Sequence, residues 1–303
     1  MTLRVSEICK CSDFFTEFDN KDQIRENVTR YLLSLNLPAK FKGLPDDMNL
    51  EESVEKKGLC KLRKPNILVG AVRNKNGEGS GTFFGVPVQK LDKEKVTLRT
   101  GHILMVPRGL HEMCLYVLTH AEVKGIFRKA GSGEKQERIK NVLETCGKLV
   151  GGDLDVLDVA VVIKYFLKML PTPLIPAEYQ NLFLACEEHA DRRDVLVLSC
   201  LLLPVENLNL LTYMMQFLDQ VASHSFVNQM NAYNIAVCVG PNIMPVYKQE
   251  LVKKVVTIVK VLIENSDLIG TVPEVMRKVP IARKKTICQK IIEAVCPKLN
   301  KSY

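Results

Sequence analysis

Tryptophan is absent from the 303-residue chain, histidine occurs five times, and none of the ten cysteines forms a CxxC pair with another. These gaps remove several chemistries. The histidines (102, 111, 120, 189 and 224) have no HExxH spacing, so a zinc site would need ligands gathered from distant segments, and no metal is expected. No GxSxG elbow is present, and no carboxylate pair suggests a hydrolase of its own, so self-contained catalysis and a bound cofactor are not expected either. The first twenty residues are interrupted by Arg4, Glu7, Lys10 and Asp13 and lack the apolar core of a secretion signal. The longest apolar stretches, near 195–205 and 255–263, are too short or too broken by charge to span a bilayer. A soluble cytoplasmic protein is expected, with a nuclear or membrane-peripheral fraction as the alternative. Most cysteines fall inside apolar helical patterns, where a reduced thiol packs as a small hydrophobe.

What is present points to a helical fold. Hydrophobic residues make up 47% of the chain, enough for a large core, and charged residues make up 25%, with both signs interspersed. The net charge of +8 favours acidic partners: nucleotide phosphates, acidic protein surfaces or anionic lipid. An amphipathic helix is expected over 20–36, capped by Asn20, with Ile24, Val28, Tyr31, Leu32 and Leu35 on one stripe. From Pro38 to Gly81 the chain turns rich in Pro, Gly and charge and reads as a linker containing one short strand, Ile67 to Val72.

Helical patterns then follow one another. Pro107 suits a first turn, Ser132 a cap for the next helix, which stops near Gly147, and Asp158 a cap for a third that ends at Pro171 and Pro173. Further helices are expected over about 176–188, 192–203, 207–222, 229–238 and 248–264, with few strands beyond residue 88. Two glycine-containing segments resemble nucleotide loops only superficially. Gly77, Gly79 and Gly81 run into extended chain rather than a helix, and Gly131 to Lys135 lacks the spacing of a phosphate loop and reads as a helix start.

Arg128 lies in Gly125-Ile126-Phe127-Arg128-Lys129-Ala130-Gly131, between two expected helices. Flanking glycines let a guanidinium project while Ile126 and Phe127 pin the loop to the core. On these grounds alone an ordinary exposed arginine remains an alternative. The segment resembles the arginine-finger loop of the Rho GTPase-activating protein family, G-[IL]-F-R followed by two residues and Gly. Val162 to Leu174 is similar to that family's helix ending L-P-x-P-L, and Asn228 to Asn242 to its segment ending G-P-N. Leu262-Ile263-Glu264-Asn265 resembles its closing helix, and the four segments fall in order across roughly 83–270.

The resemblance implies an all-α, multi-helix RhoGAP-like bundle and a GTP-bound Rho-family small GTPase as partner. It makes Arg128 the finger that enters the GTPase site, where an added guanidinium offsets transition-state charge and is worth on the order of 10³ to 10⁵ in rate. Lys164 falls on the family's usual lysine, supporting the finger loop or the GTPase. Lys168 stands where most members have Arg, losing forked donor geometry, and Asn234 matches the family's asparagine as a contact to the GTPase switch region. Read without the family, Lys164 and Lys168 are a solvated basic helix face and Asn234 a core hydrogen-bonding amide. Gln229 replaces a more usual Lys. A catalytically weak module that binds without activating is the alternative function.

The domain plan is an N-terminal helix and linker at 1–81, the RhoGAP domain at 82–270 and a basic tail at 271–303. That tail holds eight basic residues against two glutamates and has a capping-box spacing at Thr286 and Gln289 before Ile287, Ile291 and Val295. A weak contact with an anionic membrane surface is expected of it, and no nucleic acid.

Overall fold

The computed structural model describes residues 11–15, 20–40, 82–152 and 154–278. In chain order these form strand β1 (Cys11–Asp13), helix α1 (Lys21–Ser34), strands β2 (Lys93–Thr97) and β3 (Ile103–Pro107), and helices α2 (Arg108–Thr119), α3 (Gly133–Cys146) and α4 (Val156–Met169). Helices α5 (Ala177–Glu188), α6 (Arg192–Cys200), α7 (Val205–Ser223), α8 (Ser225–Asn228), α9 (Ala232–Ile243) and α10 (Gln249–Glu264) follow, then strand β4 (Thr271–Pro273) and helix α11 (Glu274–Lys278). The architecture is all-α, as the sequence implies. The linker strand expected at Ile67 to Val72 and the tail helix around Thr286 lie outside the described residues.

Helix α7 is the central rod. Along it Leu208, Leu211, Met214, Met215, Leu218 and Val221 are fully buried, a width of apolar surface that needs neighbours on several sides. Helices α2, α9 and α10 pack against it, and α4 is wedged between α2, α3 and α9. Helix α4 starts at Asp155, whose carboxylate accepts the Leu157 N–H, and not at Asp158. Asp158 sits a turn further in, fully buried, because its carboxylate faces the loop before α3. Helix α3 ends as expected at Gly147, which takes the left-handed conformation at φ +66°.

Three local expectations change. Helix α9 begins only at Ala232, because Gln229 is left-handed at φ +60° and breaks the run from α8. Pro241, a residue type that ordinarily ends a helix, lies inside α9 in a position where it is exposed, as is Val237, whose carbonyl the proline cannot pair with. A hairpin stands where few strands were expected: β2 and β3 pair antiparallel from Lys93 opposite Pro107 to Thr97 opposite Ile103. Its first strand, Lys-Glu-Lys-Val-Thr, shows no apolar alternation of its own. The pairing is stabilised by β3, which buries Leu104 and Val106 against the core.

The segment before the linker is part of this core. Ile24, Val28 and Leu32 of α1 are fully buried. Arg25 donates from Nε to the Leu201 carbonyl at 3.1 Å and from Nη2 to that of Leu203 at 2.7 Å, pairing carbonyls at the end of α6. Asn27 donates to the Met276 carbonyl at 2.7 Å, and β1 pairs antiparallel with β4 from Cys11 opposite Pro273 to Asp13 opposite Thr271. Thus two segments far apart in sequence close one edge of the bundle together.

Candidate functional site

The loop between α2 and α3 is built from the inside outwards. Ile126 and Phe127 are fully buried, and the Phe127 ring meets Phe217 of α7 edge-on at 6.1 Å between centroids. The Gly125 carbonyl accepts the N–H groups of Arg128 at 3.0 Å and Lys129 at 2.9 Å, closing a tight turn. Gly125 takes φ +84°, but Phe127 takes φ +67°, a left-handed conformation that a bulky L residue adopts at a cost of roughly 1–3 kcal/mol. This reversal lets Phe127 point into the core while the next residue, Arg128, points into solvent. Among the described residues the exposed Arg128 guanidinium has no ion-pair or hydrogen-bond partner.

Lys164 reaches this loop from α4: its Nζ donates to the Phe127 carbonyl at 2.6 Å. Burial pushes the Lys164 ammonium below its ordinary range, partly offset by attraction to the Cys238 thiol. Cys238, one turn after Asn234 on α9, is itself pushed up by burial and drawn back by Lys164 and Arg128, so its thiol lies within electrostatic reach of both cations. Asn234 stands half-exposed in the first turn of α9, capped by Asn231, whose Oδ1 accepts the Asn234 N–H at 2.9 Å. Its Nδ2 donates to the Gln229 carbonyl at 3.0 Å, so the amide has local partners and is not a core group. Lys168 is exposed in the last turn of α4. Arg128, Lys164 and the α9 face are therefore brought together, with Lys168 further along α4.

Sequence reasoning missed the groups that hold the two ends of the loop. Fully buried Asn228 accepts the Gly125 N–H on its backbone carbonyl at 2.9 Å. Its side-chain Nδ2 donates to the carbonyls of Ala121 at 2.7 Å and Val221 at 2.9 Å, and its Oδ1 accepts the Met230 N–H at 2.7 Å. At the other end the Asp158 Oδ1 accepts from the Ser132 N–H at 2.6 Å and from Gln136 Nε2 at 2.9 Å. Gln136 Nε2 also reaches the Ala130 carbonyl. No spacing rule marks these residues, because every partner lies in another element or across a turn.

The surface of the loop and of α8 and α9 mixes charge with apolar groups. Lys124 and Lys129 of the loop are exposed, and Phe226 and Val227 of α8 and Tyr233 and Val237 of α9 are exposed large hydrophobics, Phe226 at 99%. Among the described residues no group of histidine, cysteine or carboxylate side chains could hold a metal ion, and no helix is long and apolar enough to cross a membrane. A projecting, permanently charged guanidinium is suited to supply charge to a reaction centre presented to it.

The RhoGAP domain family matches residues 107–248, a stretch that includes Arg128, Lys164, Lys168 and Asn234. Residues 107–248 are a RhoGAP domain. The chain is similar to human Rho GTPase-activating protein 11A, 29% identical over 216 residues, which cover 67% of this chain and 20% of that relative. Mouse Rho GTPase-activating protein 24 is 37% identical over 180 residues, covering 55% of this chain and 23% of its own length. The chain thus spans about a fifth of these relatives. In fold the chain resembles the crystallised BH domain of Graf, the GTPase regulator associated with focal adhesion kinase, with a TM-score of 0.51 at 23% identity, covering 55% of this chain and 94% of that one. It also resembles human Rho GTPase activating protein 15, with a TM-score of 0.53 at 18% identity, covering 62% and 92% of the two chains.

Proposed function

We propose that the RhoGAP domain stimulates GTP hydrolysis by a GTP-bound Rho-family small GTPase in the cytoplasm, acting in trans, with Arg128 entering the partner's site as the arginine finger. The observation that carries this reading is the pairing of an exposed Arg128, unpartnered among the described residues, with a buried, left-handed Phe127 directly before it. Permanent charge and forked donors suit Arg128 to the equatorial oxygens of a phosphoryl group in transfer, while the GTPase supplies magnesium and the water-orienting glutamine. Lys164 supports the finger from behind, and Lys168 and Asn234 contact the GTPase surface. We assign the activating unit to 82–270, with 1–81 before it and the basic tail 271–303 after it, the latter in weak contact with an anionic membrane.

Single-turnover GTP hydrolysis tests this directly. Arg128→Ala should lower the stimulated rate by on the order of 10³ while leaving affinity for the GTP-bound partner within a few fold. Full stimulation by Arg128→Ala would overturn the reading. A second reading, a module that binds a GTPase without accelerating it, is favoured by one observation: Lys168 stands where a guanidinium would offer bidentate contact. Tight binding with no acceleration by the unaltered chain would decide for it.

A further inference from the structure

The left-handed Phe127 next to Arg128 poses a physical question. A strained backbone conformation persists only where its surroundings over-determine it. Relaxing Phe127 to ordinary φ would swing Arg128 away from its present direction, so whatever holds the loop also aims the guanidinium. Lys164 holds the Phe127 carbonyl itself. The two flanks of the loop are held by other residues.

On the leading side, Asn228 takes the Gly125 N–H on its carbonyl, while its side chain is satisfied by Ala121, Val221 and Met230. One buried asparagine thus ties the end of α2, the end of α7, the start of α9 and the loop into a single network. On the trailing side, buried Asp158 receives Ser132 N–H and Gln136 Nε2, and Gln136 reaches back to the Ala130 carbonyl. Gly131 passes so close that an added Cβ would stand 2.2 Å from the Asp158 Oδ1. The carboxylate and the loop backbone therefore fit only in this register.

We propose that Asn228 and the Asp158–Gln136 pair are positioning residues for Arg128, a two-sided clamp that holds the loop in the strained form before any partner arrives. The inference rests on Arg128 being the working guanidinium, but the clamp also has a signature of its own. The amides of Gly125, Arg128, Lys129 and Ser132 are all hydrogen-bonded and should exchange slowly with solvent only while the clamp is intact.

Gln136 is partly exposed on α3, so Gln136→Ala removes one arm of the clamp without opening the core. Asn228→Ala keeps the carbonyl that accepts the Gly125 N–H but removes the side-chain bonds to Ala121, Val221 and Met230 that fix it, and a fold check by circular dichroism accompanies it because Asn228 is buried. For the full chain with Gln136→Ala we expect amide exchange over 125–132 to quicken by about tenfold, with α4 and α7 amides unchanged. The stimulated rate at saturating GTPase should fall by about tenfold with little change in affinity, and the same substitution in an Arg128→Ala background should have no further effect. Unchanged exchange over 125–132 in Gln136→Ala overturns the clamp whatever the activity does. An equal loss of rate in the presence and absence of Arg128 also overturns it. If instead Arg128→Ala alone leaves stimulation intact, the proposed function fails while exchange still decides the clamp.

Discussion

The Nζ of Lys164 lies 2.6 Å from the carbonyl oxygen of Phe127, so a half-buried cation on α4 holds the peptide directly before Arg128. The bond joins a helix to a loop 37 residues away and is charge-assisted, the stronger class of protein hydrogen bond. Burial has already lowered the affinity of Lys164 for its proton. That desolvation is partly offset by attraction to Cys238.

Lys164→Ala should therefore lower the stimulated hydrolysis rate by roughly tenfold to a hundredfold, with a smaller change in affinity for the GTP-bound partner. A displaced loop costs the transition state more than the ground state. Single-turnover rates beside equilibrium binding separate the two, and a pure affinity loss would place Lys164 on the docking surface and not behind the finger.

Gly131→Ala combines two costs: an added Cβ 2.2 Å from the Asp158 Oδ1 and a residue forced to φ +67°. It should destabilise the fold by about 1–3 kcal/mol in urea unfolding. Gly133→Ala, two residues on in the first turn of α3 with open space around it, serves as the matched control and should be neutral or slightly stabilising.

Arg25→Ala leaves the carbonyls of Leu201 and Leu203 without their donor and removes the guanidinium that lies 5.4 Å from the Phe14 ring. A loss of about 1–3 kcal/mol is expected in chemical denaturation, with stimulation of GTP hydrolysis unchanged at temperatures where the variant stays folded. A fall in activity without a fall in stability would tie the N-terminal segment to function and contradict a purely structural role.

His102 is buried, and its imidazole is pushed below its ordinary range by burial, against the opposing pull of Asp13 and Asp267. His111, hydrogen-bonded to the Tyr213 hydroxyl at 2.8 Å, is lowered for the same reason. With folded values below the unfolded value of about 6.5, the unfolded chain binds more protons just under that pH, so stability rises with pH there. Their contribution is present above about 6.5 and is lost as pH falls towards the folded values. Melting temperature should drop between pH 7.5 and 5.5, and His102→Phe should shrink that drop; an undiminished drop would exclude His102 as a source.

Much of this site was legible from residue order because its signals are local. Arg128 between glycines, the i, i+4 pair of Lys164 and Lys168, and the stripe of Val159, Val162, Ile163, Phe166 and Leu167 each depend on residues within two helical turns. The same holds for Gly147, whose left-handed geometry is a property of one residue at a helix end. Asp158 shows where such reading ends: its type and place suited a helix cap, yet Asp155 caps α4, because Asp158 faces a backbone donor 26 residues away that local patterns do not reveal.

By itself, then, the sequence determined the helices, the guanidinium and the loop that carries it, since backbone propensity and apolar period are set by near neighbours. Tertiary structure alone decided that Phe127 turns left-handed, that Asn228 and Asp158 hold the loop flanks, and that β1 pairs with β4 across more than 250 residues. Those outcomes depend on packing, burial and hydrogen-bond partners that meet only after the chain has closed on itself.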